Sequence, residues 1–287
     1  MLSVIIVNWN TRDLLDACLR SIRQYPPRTN YEVIVVDNAS HDGSADMVRE
    51  RHPWVYLLAE TRNHGYAAGN NLGFAVARGD TLLTLNPDTE FEDDSLNLAL
   101  DIFMRETDYS AMGIRQVGID GETQRSVRGF PNLLAIAAAV LSLDRWIPSL
   151  DTYLLRRFDY TQSQSCPQPM ATFTLFRRSA LAEIGDPRAP FDADFPIFFN
   201  DADLLYRLDQ AGHRCWYAAE PWVRHHGGAG TRQVRRSMIW ESHHSLIRFW
   251  RKHPGTCPHP LALYGAIPAV WFAALIRARG YHAGFRV

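Results

Sequence analysis

Lysine is nearly missing from this 287-residue chain: of its 30 basic side chains only Lys252 is not an arginine. No GxxxxGK[ST] segment exists either, so P-loop kinase or ATPase chemistry is excluded. Cysteine is scarce. Cys18, Cys166, Cys215 and Cys257 form no CxxC pair, which excludes a disulfide scaffold and a thiolate zinc site; they read as reduced, buried thiols of a cytosolic protein. No GxGxxG follows the first apolar run, so a nicotinamide or flavin site is not expected. GxSxG and HExxH are also absent. The start, Leu2–Val7, lacks a basic leader and reads as a buried strand rather than a signal peptide.

What is present suits a folded domain. Hydrophobic residues make up 46% of the chain and charged ones 21%, which excludes disorder, and the length fits one large domain or two modest ones. A formal net charge of −1 hides an asymmetry: residues 1–230 carry 21 basic and 30 acidic side chains, residues 231–287 nine basic and one acidic, Glu241. A basic tail on an acidic body fits an anionic surface or substrate, or a solvated helical face.

The first 110 residues alternate strand and helix patterns. Strands are expected at Leu2–Val7, Glu32–Val36, Val55–Leu58 and Thr81–Leu85. Helices are expected after a Thr11 cap (Leu14, Leu15, Cys18, Leu19, Ile22), then at Ser44–Arg51, Tyr66–Arg78 and Asp93–Arg105. Continuous apolar strands separated by helices imply a mostly parallel sheet covered on both faces. From 111 to about 170 the pattern weakens and reads as an excursion forming one wall of a cleft, with an apolar helix near Leu133–Leu143. Residues 171–230 look compact and 231–287 helical.

Ligands of such sheets bind beyond the strand carboxyl ends. Three polar clusters fall there: Asn8-Trp9-Asn10, Asp37-Asn38 and Asn86-Pro87-Asp88. Asp37 can accept hydrogen bonds from a base or ribose. The stretch Arg62–Asn71 joins glycines, amides and a cation at a helix start, where free N–H groups favour an anion. Asp88 can offer one carboxylate to a hard divalent cation, magnesium or manganese.

These segments, in this order, resemble family 2 glycosyltransferases of the GT-A fold, and most closely their rhamnosyltransferase-like branch. The resemblance rests on Val4–Asn10, Val35–Ser40, Asn63–Asn71, Leu85–Thr89, Phe198–Leu204 and His225–Gly228. It implies an α/β Rossmann-like sheet flanked by helices. Residues 1–110 would form the nucleotide-sugar half, 111–230 the acceptor and catalytic half, and 231–287 a helical extension. It also implies inverting transfer of a sugar, with deoxythymidine diphosphate-rhamnose the favoured donor, to a glycan or lipid-linked acceptor of the bacterial surface; no nucleic acid is implied. Asn8, Asp37, Asn63, Gly65, Gly69, Asn70 and Asn86 would line the donor. Asp88 and His225 would hold the metal, with Asn86 standing where the family's first acid lies. Asp201 aligns with the general base, beside Asn200 where the family has an acid. Asp203 reads instead as an acid at a helix N-terminus. Trp9, Tyr66 and Trp222 fit either stacking or core packing. Arg125 and Arg128 face either an acceptor diphosphate or solvent.

Residues 260–276 carry no charge and precede Arg277 and Arg279. With Pro268 inside, the stretch suits a helix lying on anionic lipid, or one packed on the body, better than a span of about 20 residues. The chain is therefore expected in the cytoplasm, peripheral at the inner membrane face. Two rivals are a sugar nucleotidyltransferase, for which Asn8-Trp9-Asn10 supplies no glycine-rich basic loop, and a non-catalytic sugar-nucleotide-binding descendant of a transferase.

Overall fold

A computed structural model describes residues 1–227 and 235–282. The strand–helix alternation expected of the first part is present: β1 (Leu2–Asn8), α1 (Arg12–Gln24), β2 (Tyr31–Asp37), α2 (Ser44–Arg51), β3 (Tyr56–Ala59), α3 (Gly65–Val76), β4 (Thr81–Leu85), β5 (Thr89–Glu90) and α4 (Ser95–Arg105). β1, buried throughout, pairs in parallel with β2 and β4, and β2 with β3. Successive side chains of a strand point to opposite faces, and here both faces are covered. Val4 and Ile6 therefore join a cluster with Leu15, Leu19 and Phe103, while Ile5 and Val7 join Phe74, Leu204 and Tyr217 on the other side.

Three expectations need correction, two of them before residue 120. Thr11 precedes α1 but its hydroxyl makes no capping bond; it donates to Asn8 Oδ1 at 2.6 Å, satisfying a buried acceptor at the end of β1. The departure from the sheet begins after Val117, not at 111. β6 (Tyr109–Val117) is a central strand, disguised in sequence by Ser110, Gly113, Arg115 and Gln116. Gly113 is needed there because a Cβ would meet Pro169 Cβ at 2.4 Å.

The excursion holds β7 (Val127–Arg128), α5 (Leu133–Val140), β8 (Gln164–Cys166) and β9 (Gln168–Pro169). Asn132 caps α5 through Ala135 N (2.8 Å), and the helix stops short of 143 because Ser142 turns left-handed. The chain returns as β10 (Phe173–Arg177), α6 (Arg178–Glu183), α7 (Asn200–Gln210) and β11 (Arg214–His225). The strand order is β3-β2-β1-β4-β10-β6-β11-β5, with β8 also on β11 and β7-β9 a separate ribbon. β10 runs antiparallel between β4 and β6, whereas β11 lies parallel to β6. The sheet is thus mixed and mostly parallel.

α8 (Arg235–Lys252) and α9 (Pro260–His282) form the helical extension. A third cluster, Phe195, Ala202, Leu246, Phe249 and Trp250, fastens it beside α7. Trp250 Nε1 donates to Pro131 O at 2.6 Å, and Lys252 Nζ lies 2.6 Å from both Asp192 and Asp203. Part of the basic tail therefore answers acids of the body directly.

Candidate active site

The carboxyl ends of β1, β2 and β4 meet at one edge, and hydrogen bonds tie their polar clusters together. Asn8 Nδ2 donates to Asp37 Oδ1 (2.8 Å) and to Ser40 Oγ (3.1 Å), and Ser40 N donates to Asp37 Oδ2 (3.1 Å). Asp37 is thereby buried and oriented at the end of β2. Asn10, Ala39 and Phe199 all hold positive φ, at 52°, 60° and 63°. Such strain at three loops around one edge marks a region where geometry is over-determined.

The loop before α3 differs from expectation. Its N–H groups are already used: His64 N on Asn38 Oδ1 (2.9 Å), Gly65 N on Asn63 Oδ1 (2.8 Å), and Tyr66 N and Ala67 N on Pro196 O (2.6 and 3.2 Å). The helix start clamps the 196 segment instead of presenting free donors to an anion. Gly65 is left-handed, and a Cβ would lie 2.8 Å from Pro196 O. Gly69 lets α3 approach β1, since a Cβ would lie 2.9 Å from Val7 Cγ1, and buried Asn70 donates to Tyr66 O at 2.9 Å. A cavity of about 420 Å³ on the flank of α3 is lined by Leu72, Ala75, Arg188 and neighbours, and contains none of the three site aspartates.

Tyr66 joins the remaining parts. Its hydroxyl lies 3.2 Å from both Asn86 Oδ1 and Ala171 O. Asn86 N in turn donates to Thr172 O (2.9 Å), and Ala171 N to Asp201 Oδ2 (3.3 Å). Burial pushes the Tyr66 phenol pKa well above its usual value, and the charges of Asp201 and Asp88 push it further. Tyr66 therefore stands within electrostatic reach of both carboxylates, a position the sequence had left open between stacking and core packing.

Asp201 opens α7. Burial raises its pKa, against the opposing N–H groups of Ala202 (2.8 Å) and Ala171. Tyr153 lies near: burial raises its phenol pKa, Arg128 lowers it and Asp201 raises it, so both charges lie within electrostatic reach of its hydroxyl. Asp203, two residues on, points elsewhere. It is fully buried with Arg207 (2.9 Å), Lys252 (2.6 Å) and His253 (2.8 Å). Burial opposes its ionised form, but His253, Arg207 and Lys252 outweigh that and hold it below the usual carboxylate range.

β5 and β11 bring the last pair together. Thr89 registers with His225, so His225 Nε2 stands 3.5 Å from Asp88 Oδ1, while His226 turns to Glu90 (2.7 Å). Sequence reasoning missed Gln124, 101 residues from His225. Gln124 Nε2 donates to His225 O at 3.0 Å, so its Oε1, 2.7 Å from His225 Nδ1, must accept. His225 then carries its proton on Nδ1 and aims Nε2 at the carboxylate. Nothing local in the sequence signals this pairing.

The profile described as Glycosyl transferase family 2 matches residues 3–185. The chain belongs to that family. It is 26% identical over 281 residues to N-acetylglucosaminyl-diphospho-decaprenol L-rhamnosyltransferase of Mycobacterium tuberculosis, covering 91% of this chain and 88% of that protein. Among solved structures, the mannosyltransferase PcManGT of Pyrobaculum calidifontis, in complex with GDP-Man and Mn2+, superposes with TM-score 0.60 at 20% identity over 100% of this chain and 76% of that one. GalNAc-T7 with UDP, GalNAc and Mn2+ gives TM-score 0.57 at 16% identity, over 78% and 43%. At these identities the solved structures establish the GT-A fold.

For this glycosyltransferase the donor set fits a hard cation only in part. Among the described residues no three His, Cys, Asp or Glu side chains gather as a complete cage. Asp88 and His225 supply one oxygen and one nitrogen, converging at a spacing a shared ion can bridge. A magnesium- or manganese-sized ion would complete its shell with water and substrate phosphates, its usual habit.

Proposed function

We propose that this family 2 glycosyltransferase moves a sugar, with inversion, from a nucleoside diphosphate donor to a lipid-linked glycan. Deoxythymidine diphosphate-rhamnose is the favoured donor. The observation that carries the reading is the chain of contacts joining Asp37 to Asp201 through Asn8, Asn38, Tyr66 and Ala171, with Asn86, two residues before Asp88, bonded to the same Tyr66 hydroxyl. The rhamnosyltransferase relative, whose name specifies a diphospho-decaprenol-linked substrate, supports the acceptor class.

In this reading Asp37 takes the base or ribose, and Asn8, Asn63, Gly65, Gly69, Asn70 and Asn86 shape the donor pocket, several of them by packing rather than touch. Asp88 and His225 hold the divalent ion, which when bound offsets charge on the leaving diphosphate. Asp201 accepts the proton of the acceptor hydroxyl as oxygen attacks the anomeric carbon opposite the diphosphate. Its raised pKa makes it a better base than an exposed aspartate. Arg125 and Arg128, on the acceptor side, face the acceptor phosphates. The protein works in the cytoplasm, with residues 231–287 against the inner face of the anionic membrane.

The test is a thermal-shift and transfer screen of deoxythymidine, uridine and guanosine diphosphate sugars with and without manganese. Selective stabilisation by one donor, with diphosphate release that needs manganese, supports the reading; no release from any donor sinks it.

A further inference from the structure

α9 has two faces. One packs on α8: Ala274 and Ala278 are buried, and Trp271 lies against Trp240 and His244, with ring centroids 5.9 and 6.0 Å apart. The other is apolar and uncovered, with Leu261, Tyr264, Phe272 and Ile276 exposed by 54–72%. Their spacing of three, eight and four residues keeps them on one helical stripe, which ends at exposed Arg277 and Arg279.

The excursion from the sheet repeats the pattern. α5 buries Ala135 and Ala138 and turns Leu134 and Val140 outward; Leu141 and Trp146 follow, Trp146 being 83% exposed. The acids flanking the Trp146 turn pair with arginines, Asp144 with Arg156 at 2.7 Å and Asp151 with Arg157 at 3.5 Å, while Arg145 beside Trp146 is exposed. Leu133 and Ile136 of α5 and Leu263, Ala266 and Val270 of α9 pack against the same cluster around Phe249 and Trp250. Both helices therefore pack on one cluster and turn apolar side chains away from it.

We infer that α5 with its Trp146 turn and the outer stripe of α9 form one docking surface for an anionic phospholipid bilayer, with α9 lying in the membrane plane. Contiguous exposed apolar patches of this kind mark interaction sites. The sign of the described rim decides the occupant: Arg145, Arg277 and Arg279 stand exposed beside the apolar residues, so a second copy of this surface would meet like charge. Anionic headgroups meet opposite charge while the apolar stripe enters the acyl boundary. Leu261–Arg279 is long and apolar enough to cross a bilayer by length and composition alone; the burial of Ala274 and Ala278 against α8 favours the in-plane orientation. The surface rests on the lipid-linked acceptor reading for its purpose. Leu133 follows Arg128 by five residues, so docking here brings the acceptor side of the cleft to the lipid.

The test uses full-length protein and vesicles of equal parts phosphatidylglycerol and phosphatidylcholine, against phosphatidylcholine alone. The parent is expected to sediment with the anionic vesicles at low salt. Leu141→Ser/Trp146→Ser and Phe272→Ser/Ile276→Ser are each expected to weaken binding by about tenfold or more, with unchanged circular dichroism and unchanged nucleoside diphosphate release from donor and a water-soluble acceptor. Binding by the Leu141/Trp146 variant equal to the parent's overturns the two-part surface. So does a dimer in sedimentation velocity that dissociates in that variant while vesicles go unbound. Vesicle binding without sugar transfer would sink the transferase reading alone, and transfer without vesicle binding the docking surface alone.

Discussion

Replacing Asp201 by asparagine separates its chemical role from its structural one. Asp201 accepts from Ala202 N at 2.8 Å through one oxygen and from Ala171 N at 3.3 Å through the other. Asparagine keeps one acceptor and turns an NH₂ toward the second donor, leaving a buried N–H unpaired at about 1–3 kcal/mol. The sign of the raised pKa works the other way. A carboxyl whose folded pKa exceeds its unfolded value loses stability as pH rises, so at neutral pH the neutral amide recovers part of that penalty. The melting temperature should therefore fall by only a few degrees, at about 2–4 °C per kcal/mol for a chain of this size. The chemical loss is larger. Removing a general base lowers kcat by about 10²–10⁴, or roughly 3–5 kcal/mol of barrier, with donor affinity intact because Asp37 and the Asp88 edge are untouched. Parent kcat should climb with pH through a pKa above the ordinary aspartate value, and the variant should be flat across that range. Diphosphate release at saturating substrates, with donor affinity by calorimetry, makes the measurement. A variant within tenfold of the parent, with normal donor affinity, would remove Asp201 from the base role.

Other consequences are equally concrete. Gln124→Leu releases His225 Nδ1 and should weaken manganese binding by about 10–100-fold, read by electron paramagnetic resonance without substrate; His225→Ala should weaken it at least as much. Asp203→Ala removes the acceptor shared by Arg207, Lys252 and His253 while Lys252 keeps Asp192 and Arg207 keeps Pro190 O, and should cost about 1.5–3 kcal/mol at neutral pH. Because the Asp203 pKa is depressed, its stabilisation is present above the ordinary aspartate value and fades as pH falls through the folded one, so urea midpoints of parent and variant should converge in acid. Gly129→Ala places a Cβ 1.7 Å from Thr152 O, a backbone clash that should cost about 3 kcal/mol or more in urea unfolding.

Much of the scaffold follows from local pattern. The run Leu2–Val7 and the segment Glu32–Val36 carry β-branched residues that suit only strands, and polar residues directly after an apolar run mark the strand ends where Asn8, Asp37, Asn86 and Asp88 sit. Leu15, Cys18, Leu19 and Ile22 recur at helical spacing whatever lies beneath them. β6 escaped that logic because its burial comes from neighbours, β10 and β11, brought in from 60 or more residues away.

The sequence by itself determined the alternating architecture, the polar edge and the family motifs, since each depends on periodicity or short spacing within one segment. The tertiary structure alone decided that the α3 start grips Pro196, that Tyr66 links Asn86 to Ala171, that Gln124 orients His225, and that α5 and α9 pack on one cluster around Phe249 and Trp250. Each is a pairing between segments far apart in the chain. Hydrogen-bond direction and packing at such pairings depend on where the backbone places both partners, which no local pattern encodes.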